Sequence, residues 1–376
     1  MGPAGNRGVF KPALTQSRFI SNSSFTITAV KTWDAIIVGG GIIGLSLARE
    51  LHKNQLRVLV LERGEPGREA SHAAAGMLAD SSEISPALQE LATASAQMYP
   101  EFVRELEDES GINTDLRDQG AIIFADADDP AECDGENLTH VELVTLEPEI
   151  AEQEREACLR SERSIDPRAL THALWEAAKK REIDISSGAE VVEVLLASDR
   201  VTGVRTNKTT YSAPIVVNCA GAWAGKIVPL HFPTRPVKGQ MLCLVGKPLI
   251  QHVIRTPEVY LVPRTDGRIL VGSTLEEVGF DKRVDADSIH RLHQSALALV
   301  PALRDTRIHD SWAGLRPGTP DDLPILGATG ISGYFAATGH FRDGILLAPV
   351  TALVMAQLVT GVPPQRDLSP FRPVRF

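Results

Sequence analysis

Asp34-Ala35-Ile36-Ile37-Val38-Gly39-Gly40-Gly41-Ile42-Ile43-Gly44 decides the fold. The apolar run to Val38 reads as a strand, and the glycines lead from it into a helix. Gly39 permits a tight turn off the strand. Gly41 lets backbone approach a pyrophosphate with no side chain in the way, and Gly44 lets the helix pack closely on the strand. The helix N-terminus then offers free N–H groups and a positive dipole end to phosphates. A second strand, Leu56–Leu61, ends on Glu62, about twenty residues on, where an acceptor for an adenosine ribose hydroxyl belongs. An acid there favours FAD or NAD over NADP. The plainer alternative is an ordinary strand-to-helix turn with Glu62 as a surface charge.

A second glycine segment lies near the other end. Tyr334–Ala337 reads as a short strand, followed by Gly339-His340-Phe341-Arg342-Asp343-Gly344 and an apolar helix over Ile345–Val359. With dinucleotide elements at both ends, the cofactor-binding domain must be discontinuous. The expected class is α/β and α+β: a Rossmann-like dinucleotide-binding domain formed by 34–95, 165–234 and 312–365. An inserted antiparallel β-rich substrate-binding domain is formed by 96–164 and 235–311.

Between these ends the chain alternates readable elements with polar stretches. Small residues Ala73-Ala74-Ala75-Gly76-Met77 allow backbone to lie against a flat ligand, or simply pack a loop. Ile84–Glu109 reads as helix and Gly120–Phe124 as strand. Residues 125–157 are acidic and turn-rich and read as a solvated excursion. Pro167 can begin a helix at its first turn. Ala189–Leu195 and Arg200–Arg205 read as paired strands. Ile215–Asn218 is another strand, ending in Cys219-Ala220-Gly221-Ala222-Trp223. From 235 to 275 strand follows strand, Ala286–Leu299 reads as helix, and Trp312–Asp322 as a proline-punctuated loop.

The chain has 376 residues, 43% of them hydrophobic, and a formal net charge of −10. That length supports two domains with substantial cores. The acidic balance gives no sign of a nucleic-acid partner. The apolar stretch Ile345–Val359 is too short to span a bilayer and contains Pro349, Thr351 and Gln357. Cys133, Cys158, Cys219 and Cys243 show no CxxC spacing and read as reduced thiols of a cytoplasmic protein, with no metal site. Residues 1–33 carry Arg7, Lys11, Arg18 and Lys31, no acid and several serines. That is the composition of an organelle transit peptide, but the segment reads more simply as a disordered extension.

The motifs together resemble a known family. Asp34–Gly44, Ala73–Met77, Pro236-Val237-Lys238-Gly239, Trp312-Ala313-Gly314-Leu315-Arg316-Pro317-Gly318-Thr319 and Gly339–Pro349 are similar to the glycine oxidase branch of the FAD-dependent D-amino-acid oxidase family. The resemblance runs from Asp34 to about residue 362. It implies FAD in contact with Ile42 and Ile43, Glu62 and Arg63, Ala70 and Ser71, Ala75, Gly76 and Met77, and Val191. At the late glycine segment it implies contacts with His340, Phe341, Arg342, Asp343, Gly344, Ile345 and Leu346. Pro317–Leu326 lacks the cysteine that tethers the flavin in some relatives, so attachment is expected to be noncovalent. Arg316 and Arg342 match positions linked to the substrate, and Tyr260 matches a tyrosine that helps hold its carboxylate. Two residues depart from the pattern: His72, where a small hydroxyl residue is common, and Leu275, where methionine is common.

The resemblance implies oxidative deamination of glycine, or of D-alanine or sarcosine, by hydride transfer to flavin. The imine would hydrolyse to glyoxylate and ammonia, oxygen would become peroxide, and the imine would also serve thiamine thiazole synthesis. It further implies a homo-oligomer, tetrameric in many members. A guanidinium suits a carboxylate better than an ammonium does, so Arg316 is the expected carboxylate anchor. Gly344, Ile345 and Leu346 could offer N–H groups to the reduced flavin. His340 is expected to orient its loop rather than transfer protons. A quinone-linked dehydrogenase, an NAD-dependent dehydrogenase and a non-catalytic redox module remain as alternatives on these residues.

Overall fold

Four apolar residues, Ala35–Val38, form a fully buried strand at the middle of a six-stranded sheet. Burial on both faces suits a continuous Ala-Ile-Ile-Val run, as in parallel sheets covered by helices. The computed structural model describes residues 1–2, 32–80, 85–124 and 135–376, and Thr32–Phe376 folds as one unit. The expectation of disorder for 1–33 falls almost wholly outside the described residues, as does Cys133.

The sheet runs Ile325–Ala328, Tyr334–Thr338, Ile215–Asn218, Ala35–Val38, Val58–Glu62, Asp184–Ser187. Its strands are parallel except for the first pair. Helices Ile42–Lys53, Gln89–Ser110, Pro167–Lys180 and Ala348–Val359 share one buried cluster with one face of this sheet. A three-stranded sheet, Thr210–Ser212, Arg200–Thr206 and Val191–Ala197, contributes to the cluster on the other face. Asp166 starts the Pro167–Lys180 helix: its carboxylate accepts the N–H groups of Arg168 and Ala169 at 2.9 and 3.2 Å. Such a cap is worth about 1 kcal/mol.

The second sheet has eight strands in the order Arg307–Gly318, Arg235–Val245, Arg268–Gly272, Tyr260–Pro263, Val253–Arg255, Ala121–Phe124, Ala157–Arg160, Glu136–Leu138. All neighbours are antiparallel except Val253–Arg255 with Ala121–Phe124. Helix Ala286–Leu299 shares one of its buried clusters. The other cluster brings Met241, Cys243 and Ile123 against Ala75, with Tyr260 and Trp312 at its edge. One face of the second sheet therefore meets the small-residue loop that follows the first.

Three expectations need correction. Trp312–Gly318 is not loop: it completes the strand Arg307–Gly318, paired along Arg235–Val245. Its proline is tolerated because the strand lies at the sheet edge. Within 125–157, of which 125–134 lie outside the described residues, Glu136–Leu138 is a strand and His140–Leu146 a helix. Thr139 and Glu142 close a capping box on that helix. Cys158 is disulfide-bonded, while Cys219 and Cys243 are free thiols. Spacing rules recognise close cysteine pairs and carried no signal for Cys158. Among the described residues, no helix is long and apolar enough to cross a membrane, and no cluster of His, Cys, Asp or Glu could hold a metal.

Candidate cofactor and substrate site

A cavity of about 930 Å³ runs from the first glycine turn to the last. At the first turn Gly39, Gly41, Ile42 and Ile43 line it, and Glu62 closes its side. Glu62 is buried. Its two oxygens accept the N–H groups of Gly40 and Gly64, each at 2.8 Å, and each oxygen keeps acceptor capacity. Ile42 donates its N–H to Ser71 Oγ at 2.9 Å. Among the described residues, the N–H groups of Gly41 and Ile43 find no protein acceptor, which is the state of a helix end awaiting an anion. Gly44 lies off the cavity. A Cβ there would overlap the Gly39 carbonyl oxygen, so its absence allows helix and strand to touch. Arg63 stacks 3.6 Å above the Trp223 ring and pairs with Glu69 at 2.6 Å. Ala70, Ser71, Val191 and Cys219 also line this end; burial pushes the Cys219 thiol up, so it stays protonated.

The small-residue loop forms the cavity's middle. Ala75, Gly76 and Met77 line it, while His72 does not. His72 is half-buried, and burial first, then Arg168 and Arg68, push its pKa down to about 4. The loop is held from behind: the buried Arg264 guanidinium donates to the Ala75 carbonyl, and Trp312 Nε1 donates to the Ala73 carbonyl at 3.2 Å.

His340 to Leu346 line the far end. His340 is buried, its Nε2 lies 3.2 Å from Thr351 Oγ1, and burial pushes its pKa down to about 3. It is a neutral imidazole bonded to the final helix. Phe341 sits at φ 44°, a left-handed conformation costly for a residue with a side chain, and its N–H is tied to the Pro317 carbonyl at 3.0 Å. Among the described residues, the N–H groups of Gly344, Ile345 and Leu346 have no protein acceptor.

Arg316 projects into the cavity from the edge strand beside this end. Its Nη1 donates to the Thr274 carbonyl at 3.2 Å and its Nη2 to Ser273 Oγ at 2.7 Å. No carboxylate of the described residues pairs with it. Burial pulls its pKa below the usual arginine value; the neighbouring Tyr260 phenol opposes that, and Arg342 adds to it. On the adjacent strand, a Cβ at Gly239 would overlap the guanidinium. Tyr260 stands across from it, half-buried, its hydroxyl 3.7 Å from Met241 Sδ. Arg342 also lines the cavity but is exposed, its guanidinium 5.2 Å from the Phe341 ring. Leu275 is 51% exposed at the rim. The structure thus gathers every expected site residue on one cavity except Gly44. Ser273 and Gly239 were not foreseen as parts of the arginine's seat; only the position of Gly239 in a quoted motif hinted at it.

The FAD dependent oxidoreductase family matches residues 34–358. The chain belongs to this family. It is 37% identical to the bifunctional protein ThiO/ThiG of Trichormus variabilis over 92% of its own length and 55% of the relative's. It thus spans about half the length of the bifunctional relatives it matches. It is 34% identical to glycine oxidase of Pseudomonas aeruginosa, covering 90% of this chain and 98% of that one. The crystal structure of glycine oxidase from Geobacillus kaustophilus superposes with a TM-score of 0.88 at 34% identity, covering 92% of this chain and all of that one. Family membership makes FAD the cofactor. The cavity fits it: unpaired N–H groups at both ends, a buried carboxylate beside the first glycine turn, and a size within the range of about 300–1,000 Å³ usual for ligand pockets.

Proposed function

We propose that this protein oxidises glycine, and other small amino acids such as D-alanine and sarcosine, to the imine. The observation that carries this reading is Arg316: a guanidinium facing a cofactor cavity, seated by Ser273 and Thr274, with no acid of the described protein to neutralise it. A small carboxylate is the ligand that completes it. Bound FAD would supply the acceptor for the two electrons and the hydrogen leaving the substrate Cα.

The chain's own residues do the rest. Arg316 holds the carboxylate by paired N–H donors and Tyr260 adds a hydroxyl donor, which fixes where the amine and Cα lie. Arg342 at the rim draws anions in. Glu62 accepts ribose hydroxyls, and Gly41 and Ile43 face the pyrophosphate. Gly344, Ile345 and Leu346 place N–H groups where negative charge develops, a preorganised stabilisation. His340 does not act as a base: it is neutral, buried and occupied by Thr351. The substrate amine therefore enters unprotonated. FAD is held without a covalent bond, since Pro317–Leu326 has no cysteine to tether it.

The overall balance is glycine, oxygen and water giving glyoxylate, ammonia and hydrogen peroxide. The resemblance extends this to imine supply for thiamine thiazole synthesis and assembly as a homo-oligomer. Oxygen uptake with glycine, D-alanine and sarcosine tests the activity, with catalase returning half the oxygen if peroxide forms. Arg316→Ala should lower kcat/KM by about 30-fold or more, since losing a buried partner of an anion costs about 2–5 kcal/mol. Turnover that is indifferent to that change, or absent with all three amines, would refute the reading.

A further inference from the structure

The late glycine segment is held by a helix far away in sequence. Tyr99, on helix Gln89–Ser110, donates its hydroxyl to the Ile345 carbonyl. Ser95, one turn earlier, donates to the Leu346 carbonyl at 2.6 Å and accepts the Val350 N–H at 3.3 Å. Both side chains are fully buried, and neither lines the cavity. In a planar trans peptide, C=O and N–H point in opposite directions. Fixing the Ile345 carbonyl toward the Gln89–Ser110 helix therefore turns the Leu346 N–H the other way. Leu346 lines the cavity, and its N–H has no protein acceptor among the described residues. The next peptide is fixed as well: Ser95 holds its carbonyl, and the Leu347 N–H goes to Asp343 O at 2.8 Å.

We infer that Tyr99 and Ser95 are positioning residues that aim the Leu346 N–H, and with it the Gly344–Leu346 turn, at the charge FAD gains on reduction. The inference rests on the proposed cofactor placement and adds two residues to it. Their position is informative because a core tyrosine needs only packing, and phenylalanine would supply that. Here the hydroxyl meets a carbonyl that already accepts the Ala348 N–H at 3.2 Å. The two donors lock that peptide. Burial pushes the Tyr99 phenol up, so it remains a donor at any working pH. A preset dipole costs no reorganisation when charge appears, which is why such donors favour the charged state.

The test is the reduction potential of the FAD-bound protein, with FAD affinity and thermal midpoint measured alongside. Tyr99→Phe and Ser95→Ala should weaken binding of reduced relative to oxidised cofactor about tenfold, moving the potential about 30 mV more negative for a two-electron couple. KM for glycine should hold, because the Arg316 seat is untouched, while kcat falls. Ser95→Thr keeps the hydroxyl and should restore most of the shift. Tyr334→Phe is the control: it deletes another fully buried phenol oxygen, bonded to Asn218 at 3.2 Å, away from the cavity. It should lower the thermal midpoint and leave the potential alone. If Tyr99→Phe does not accumulate, Ser95→Ala and its threonine counterpart carry the same measurement. Yellow variants with an unmoved potential would overturn this inference alone. A wild-type protein that retains no FAD would overturn the cofactor placement with it.

Discussion

Gly239→Ala separates seating the arginine from folding the protein. Strands Arg235–Val245 and Arg307–Gly318 pair with Val237 opposite Arg316 and Gly239 opposite Gly314, so residue 239 lies beside the arginine on the same face. A Cβ there would overlap Nη1, Nη2 and Cζ of Arg316. The obstacle is the far end of a flexible side chain, so the guanidinium swings away and the strands stay paired. It then loses Ser273 Oγ at 2.7 Å and the Thr274 carbonyl at 3.2 Å, and with them its aim. A misplacement of about 1 Å at a reacting geometry costs on the order of 10²-fold, or about 2.7 kcal/mol of transition-state stabilisation. The expected result is a kcat/KM for glycine about 100-fold lower, through both a raised KM and a lowered kcat. FAD content should be normal and the thermal midpoint close to wild type. Steady-state oxygen uptake, the flavin spectrum and calorimetry on the same preparation check this. A variant with wild-type KM would refute the argument that Arg316 must occupy that spot; a collapsed fold would refute the argument that only the side chain yields.

Two further outcomes follow from the geometry. Glu62→Gln puts an amide where Gly40 and Gly64 both donate N–H groups, so one donor faces another. With hydrogen bonds to charged groups worth about 1.5–3 kcal/mol, FAD should bind roughly 10–100-fold more weakly in a fluorescence titration of apoprotein; unchanged affinity would remove Glu62 from the ribose site. His340 is held down to about 3 from an ordinary 6.5 by burial. Between those values the unfolded chain binds the proton that the folded chain refuses, so stability falls as pH drops through that window. His72, held down to about 4 mainly by burial, acts in the same direction. Urea midpoints from pH 7 to pH 4 should therefore decline less in His340→Gln than in wild type; equal slopes would show that His340 is not the buried neutral group described.

What the sequence disclosed was local chemistry. The Gly39–Gly44 turn, the acid at Glu62 and the Gly339–Gly344 segment are each short, and each requirement acts within a few residues. Pairing between distant segments was not legible. Pro317 and Gly314 look like loop because the partner strand that overrides them lies far away in Arg235–Val245, a matter of register that no local propensity encodes. Thr139 and Glu142 are the residue types of a capping box, a local signal that the reading of 125–157 by its acidic composition passed over. Tyr99 and Ser95 occupy positions that read only as helix core, yet their hydroxyls meet carbonyls 246 and 251 residues on. Gly239 looks like any strand glycine until the Arg316 guanidinium is placed beside it.

The central claim is that Arg316 holds a small amino acid against FAD in this cavity. The most direct measurement is anaerobic: purify the protein, record its visible spectrum, and add glycine with oxygen excluded. A flavin spectrum that bleaches in wild type and persists in Gly239→Ala at the same glycine concentration is the predicted result. A colourless protein, or a flavin that glycine, D-alanine and sarcosine all leave oxidised, would contradict it.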